Sequence, residues 1–330
     1  MIRLLQIGGS IVALALGLDL LDWNRLEASA SRIDLGSFLI ALALAVASIA
    51  TTGLRWICIV RRLAPAPELV QWRIYFLGTF FNSFTPANIG GDIYRVIALR
   101  SYAGDRATSG LVAAVTVERI FGLASFLCGY LVALAARAVT VGWAIMKLPG
   151  LLIYPAVPAA AILAIMALLP LTRHFPGRLP LISRHAGLMQ QLFKFQLGIR
   201  LATTRNLGML GILSVLAWGL WVATVAVVAG RLGIRMPITL LATVVSVTEI
   251  IRLIPISFQG IGIREGVFSG LVGLAGWPAP DGFVTAAVAY AALSLALAIA
   301  GLVGGVLSLA TVQSVARGSD KIRVKARHGP

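Results

Sequence analysis

Four carboxylates and four guanidiniums lie in or beside apolar stretches of this sequence: Asp92, Glu118, Glu249 and Glu265, with Arg95, Arg119, Arg252 and Arg264. A charged side chain at the centre of a bilayer costs roughly 2.5–3.5 kcal/mol on insertion scales, so each needs a partner or a function. Asp92 and Arg95 are three residues apart, as are Glu249 and Arg252, so each pair can share one helical face. Glu118-Arg119 and Arg264-Glu265 are adjacent. On a helix such neighbours diverge and must find partners across the bundle. Gly90-Gly91 and Gly260-Ile261-Gly262 precede helix-like runs that carry Arg95 and Arg264. Free N–H groups at a helix start, beside a guanidinium, make a site for phosphate or carboxylate. Asn82 and Asn88 stand in the same interrupted stretch and complete the candidate binding set. Two such sites suit an amphiphile whose anionic headgroup must cross a membrane, with Glu118 and Glu249 gating the path or carrying protons. A plainer reading also stands: the ions neutralise one another and fix helix register, and the glycines only let helices pack closely.

The elements that must position these residues are membrane helices. The chain has 330 residues, 59% hydrophobic and 12% charged, with a mean hydropathy of +0.93. Soluble domains run about 45–50% apolar and about 25% charged. A soluble enzyme, a disordered chain and a disulfide-stapled secreted domain are all excluded. The net charge of +16 comes from 28 Lys and Arg against 12 Asp and Glu, and since the intramembrane ions cancel, the excess lies in loops and the C-terminal tail. That is a topology signal with an attraction to anionic lipid headgroups. A nucleic-acid partner is not expected, since no folded basic module is present. Cys58 and Cys128 lie in apolar runs, and His174, His185 and His328 lie apart from any carboxylate cluster, so no metal or cofactor is expected.

Apolar runs at 4–21, 35–60, 107–136, 150–170, 207–230 and 282–312 read as spans. Ala28-Ser29-Ala30 resembles a cleavage site, but Asp19, Asp22, Arg25 and Glu27 intervene, so the first run reads as an uncleaved anchor. Stretches 69–100 and 237–276 are broken at Asn82–Gly91 and Pro255–Gly262. Non-helical backbone at membrane depth needs protein or a water-filled cavity around it, so each reads as a re-entrant helical hairpin. The fold class is all-α and polytopic: about six spanning helices plus two hairpins in one membrane domain (1–312), then a flexible basic tail (313–330). With both termini cytoplasmic, Arg61, Arg62, Arg100, Arg106, the 171–206 loop and the tail face inward. The outer segments 22–34, 137–149, 231–236 and 277–281 carry six Lys and Arg against four acids. Arg55 reads as snorkelling to the interface, and Trp56, Trp72, Trp143 and Trp277 as interfacial anchors. Gly301, Gly304 and Gly305 read as a packing face or a homodimer seam.

Pro86 is followed at +5 by Gly91 and at +9 by Arg95; Pro255 is followed at +5 by Gly260 and at +9 by Arg264, an offset of 169. The expected halves are 35–140 and 205–312, inverted copies of the kind in which transporters build a midplane site from broken helices.

Read in order, these residues carry a resemblance: Asn82-Ser83-Phe84-Thr85-Pro86-Ala87-Asn88-Ile89-Gly90-Gly91-Asp92-Ile93-Tyr94-Arg95, Glu118-Arg119, Glu249-Ile250-Ile251-Arg252-Leu253-Ile254-Pro255-Ile256-Ser257 and Gly260-Ile261-Gly262-Ile263-Arg264-Glu265-Gly266. The set resembles the lysylphosphatidylglycerol synthase/flippase transmembrane-domain family. The resemblance implies a flippase-like domain that moves a lipid between leaflets. Joined to the arginine and glycine reading above, the expectation is a protein of a bacterial-type inner membrane handling an anionic or phosphate-bearing lipid (a phospholipid, a hopanoid-related lipid or a lipid-linked glycan). With only a short basic tail after the last span, aminoacyl transfer is not expected, which puts lysylphosphatidylglycerol in doubt as substrate. Two rivals stand beside this reading: a membrane-embedded transferase acting on a lipid-linked substrate, and a non-catalytic partner of a lipid-modifying enzyme.

Overall fold

The computed structural model describes residues 8, 10–12, 14, 15, 23–85, 88–103, 108–141, 207–252 and 257–327. The 4–21 span lies mostly outside them; the 150–170 span, the 171–206 loop, Trp143, Pro86 and Pro255 lie outside altogether. The described residues are helical, with no strand. The helices are α1 (Trp23–Ala30), α2 (Leu35–Val60), α3 (Glu68–Asn82), α4 (Gly90–Ala103), α5 (Thr108–Val141), α6 (Leu207–Arg231), α7 (Ile238–Arg252), α8 (Ile263–Leu274) and α9 (Ala279–Arg327).

About 20 apolar residues are needed to cross a bilayer. Among the described residues four helices meet that length with high mean hydropathy: Leu35–Val60 at 2.0, Thr108–Thr140 at 1.8, Leu207–Arg231 at 2.2 and Ala279–Leu309 at 2.2. They coincide with the expected second, third, fifth and last spans. Their outer faces are apolar and bare; Ile212, Val215, Leu302, Val306 and Leu309 are all more than half exposed. Such a surface belongs in lipid. Asp34 caps the first of them, its carboxylate accepting the Ser37 N–H at 3.1 Å. The last does not stop at the expected boundary. Residues 313–327, expected to be a flexible tail, continue α9 as helix.

The other helices are short. At 15, 14, 15 and 12 residues, α3, α4, α7 and α8 fall well below that length. Between them, where the sequence predicts breaks, the described residues Ser83–Thr85, Asn88 and Ile89 lie outside the α-helices of the first half, and Ser257–Gly262 lie outside those of the second, holding one 3₁₀ turn, Phe258–Gly260. Asn88 and Gln259 adopt positive φ (53° and 54°), and Gly260 and Gly262 turn the second break with φ of 77° and 84°.

The order long, short, short, long therefore occurs twice. Moving the starts of α2 to α5 along by the 169-residue offset gives 204, 237, 259 and 277, against observed starts of 207, 238, 263 and 279. Packing is crossed between the halves: α3 lies on α9 and α7 lies on α5, while α2 and α6 pair with each other. Ser48 on α2 donates to the Ala217 carbonyl on α6 at 3.1 Å.

Two sets of contacts fix the ends. Arg32 donates to the Leu232 carbonyl at 2.8 Å and pairs with Asp281, and Arg231 pairs with Asp34 at 3.2 Å. The segments before α2, before α7 and after α8 thus meet at one end of the bundle. At the other end of α2, Leu63 lies beside Gly110 at the start of α5, so the segments flanking the α3–α4 pair also meet. We expect Asp281→Ala to free α1 from this end, read as faster cleavage of 23–34 by protease at an unchanged core melting temperature.

Gly301 and Gly304 form a packing face, but within the chain. A Cβ at Gly301 would lie 2.6 Å from the Phe80 ring of α3, and one at Gly304 would lie 2.9 Å from Leu77. Of the packing-face and dimer-seam alternatives, these two glycines take the first, and of the three only Gly305 faces open space. Gly301→Ala should cost about 1–3 kcal/mol, read as a lower melting temperature in detergent, and Gly305→Ala should change it little. Two apolar clusters fill the bundle, one built on Leu127, Trp221, Val245 and Phe268, the other on Ile49, Val60, Ile74 and Leu99. Leu293 of α9 packs against both.

Candidate functional site

Where the two clusters meet, the breaks of both halves face a cavity of about 490 Å³, within the roughly 300–1,000 Å³ usual for small-molecule sites. The first break is braced by its own polar groups. Asn82 accepts the Gly91 N–H at 2.7 Å and donates to Asp92 at 3.2 Å, while Gly90 N–H donates to Thr85 Oγ1 at 2.9 Å. Asp92 sits in the first turn of α4, where a negative charge offsets the positive end of the helix dipole. A Cβ on Gly91 would lie 1.7 Å from the Gly78 carbonyl oxygen, so α3 and α4 touch backbone to backbone there.

Four charges then run in alternation from this break. Arg95 donates through Nη1 to Glu118 at 2.6 Å and through Nη2 to Asp92. Asp92 turns its other oxygen to Arg119, which donates from Nε at 2.9 Å and Nη2 at 2.7 Å. Arg119 also reaches the Asn88 carbonyl. Arg95 is 3% exposed; its guanidinium lies 4.5 Å from the Trp56 ring centroid, a cation–π contact, and its stem passes over Gly78. The i,i+3 pairing of Asp92 with Arg95 and the divergence of Glu118 from Arg119 are as the sequence predicts.

The second break follows related rules. Glu265 caps α8, accepting the Gly262 N–H at 2.7 Å with one oxygen and Arg264 Nε at 2.6 Å with the other. Arg264 and Glu265 therefore pair with each other instead of diverging, because the capping carboxylate folds back along the first turn. The Arg264 guanidinium lies 4.3 Å from the Tyr290 ring centroid. Glu249 accepts from Arg252 (2.9 and 2.6 Å), Trp221 Nε1 (3.0 Å) and the Tyr290 hydroxyl (2.6 Å). The Arg252 stem lies against Gly260, where a Cβ would come within 2.4 Å of it. Gln259 at the second break donates to the Ser83 carbonyl at the first, so the two breaks touch.

The structure thus gathers the expected residues, with changed roles. Asn82, Asn88, Arg95, Glu118 and Arg119 line the cavity from one half, and Glu249, Arg252 and Arg264 from the other. Asp92 and Glu265 bond to lining arginines from behind. The N–H groups of Gly90, Gly91 and Gly262 donate within the chain, which corrects their expected role as headgroup donors; Gly91 and Gly260 act through close approach.

Two residues near the end of α2 were misread. Trp56 is fully buried beneath Arg95 and is no interfacial anchor. Arg55, expected to snorkel, is 4% exposed, lines the cavity and donates to Ser214 on α6 at 3.0 Å. The signal was available: Ser48, Thr52 and Arg55 recur at i, i+4 and i+7, a polar stripe on an apolar helix. Thr52 in turn meets the Tyr75 hydroxyl at 2.6 Å.

Long apolar helices with bare outer faces, enclosing a cavity of paired charges, define a polytopic integral membrane protein. The chain belongs to the family described as the lysylphosphatidylglycerol synthase TM region, whose family model matches residues 3–307, essentially the whole sequence. No curated protein matches it.

Proposed function

We propose that this protein translocates an anionic or phosphate-bearing lipid between leaflets, its headgroup passing through the central cavity while the acyl chains stay in lipid. The observation that carries the reading is the convergence of both broken helix pairs, each bearing arginine, on one cavity of about 490 Å³. The pairs are re-entrant hairpins inserted from opposite faces. Support for this comes from the flanks of α3–α4 meeting at one end of α2 and the flanks of α7–α8 at the other. The recurring helix order and the crossed packing support an inverted repeat. Lys and Arg in the loops orient both termini to the cytoplasm of a bacterial-type inner membrane.

In this reading Arg264 is a headgroup ligand. Its Nε is held by Glu265 while its terminal amino groups make no hydrogen bond among the described residues, and it lines the cavity. Arg95 lines the cavity as well, its charge oriented by Glu118 and Asp92. The Gln259–Ser83 contact closes the two hairpins on each other, and its breaking opens the path.

The test uses purified full-length protein in vesicles carrying fluorescent phosphatidylglycerol in both leaflets, bleached by an external reductant. Bleaching beyond the outer leaflet's share is expected for the wild type, and Arg264→Gln should slow it about tenfold. Bleaching that stops at the outer leaflet defeats the proposal. A donor-dependent change in lipid mass would instead assign a transferase.

A further inference from the structure

The cavity's own carboxylates leave one guanidinium uncompensated. Asp92 and Glu118 serve Arg95 and Arg119, Glu249 serves Arg252, and Glu265 serves Arg264. Arg55 makes five guanidiniums against four carboxylates. Its only hydrogen bond among the described residues goes to the neutral Ser214 hydroxyl, and its buried Nε has no partner. It is 4% exposed and stands where the main cavity meets a second chamber of about 180 Å³. Burying a cation without a counter-ion is costly in any protein and more so in a membrane. The missing counter-charge has to come from an occupant.

We infer that Arg55 is an anion-binding group of this cavity beside Arg264, and that the occupant's headgroup carries one net negative charge, as a phosphodiester lipid does. The inference rests on the headgroup reading of the cavity and narrows its substrate class. One phosphodiester brings five positive and four negative side chains to neutrality. A zwitterionic headgroup leaves the excess in place, an aminoacylated cationic headgroup adds to it, and a phosphomonoester dianion overshoots it. Arg55 has unspent donors for the phosphate oxygens, and the free amino groups of Arg264 line the same cavity.

The same charge chemistry exists in free phosphate, so the experiment carries both arms. Purified full-length protein is titrated with phosphatidylglycerol or phosphatidylcholine in mixed micelles, and separately with inorganic phosphate, following melting temperature and lipid adducts by native mass spectrometry. Wild type should bind phosphatidylglycerol in preference to phosphatidylcholine. Arg55→Gln should weaken phosphatidylglycerol binding about tenfold or more, leave phosphatidylcholine binding little changed, and be largely rescued by Arg55→Lys. With no lipid added, Arg55→Gln should melt no lower than wild type, because an uncompensated buried charge has been removed.

Four results would overturn the inference: no preference in the wild type, a preference that survives Arg55→Gln, a lipid-free Arg55→Gln protein that melts well below wild type, or phosphate binding as strong as the lipid's. Arg55-dependent binding without movement of lipid in vesicles would defeat translocation and leave this inference standing. Movement of lipid with binding indifferent to Arg55 would do the reverse.

Discussion

Gly91→Ala should leave little folded protein. The added carbon would sit 1.7 Å from the Gly78 carbonyl oxygen, and the obstacle is backbone, which no rotamer change can relieve. Overpacking usually costs about 1–3 kcal/mol, and a clash of two backbones belongs at or above the top of that range. Relief would require α4 to lift from α3. That would pull the Gly91 N–H from Asn82 and shift Asp92, to which Arg95 and Arg119 are anchored. The measurement is recovery of monodisperse protein in detergent and its melting temperature. Gly266→Ala is the control, since a Cβ there meets nothing within 4 Å. A Gly91→Ala protein melting with the wild type would mean that the two short helices do not meet at this point.

Arg95→Ala should be the most damaging charge substitution among the described residues. Its removal leaves Glu118, whose ion-pair partner among the described residues is Arg95, buried without compensation, and leaves Asp92 with Arg119 alone. Breaking a buried pair from one side costs about 3–5 kcal/mol, mostly from the charge left behind. A double substitution separates that penalty from lost packing. Arg95→Ala with Glu118→Gln should recover part of the stability lost by Arg95→Ala alone. If the double variant is as unstable as the single one, the damage comes from the empty space over Gly78 and beside Trp56, and the charge alternation is incidental. The contrast with Arg55→Gln, which should not lower lipid-free stability, is the sharpest check on which arginine is structural.

Much of this was legible because bilayer physics writes long signals. The 35–60 run became α2 at those bounds; Asn, Pro and paired Gly marked the first break, and Pro255 with Gly260 and Gly262 marked the second. The i,i+3 pairs formed because helical spacing puts both members on one face. What was missed depends on which way a single helix faces. Arg55 lies a few residues from the end of α2, where snorkelling and inward pointing look alike in sequence; the Ser48–Thr52 stripe was the cue, and it is weak. Trp56 was misread for the same reason. Gly78 looked like any glycine in an apolar run, and its partner lies in another helix. Arg264 and Glu265 escaped because the divergence rule holds inside a helix, whereas they occupy its first turn, where a capping carboxylate bends back.

The exchange of partners between α3 and α9 bears on how the chain is made. The groove holding Phe80 and Leu77 is completed by Gly301 and Gly304, more than two hundred residues later. During synthesis α3 is made with that flank uncovered. It must wait, bathed in lipid or shielded by the insertion machinery, until the final helix arrives, so a ribosome stalled before that helix would strand a piece unable to seal itself.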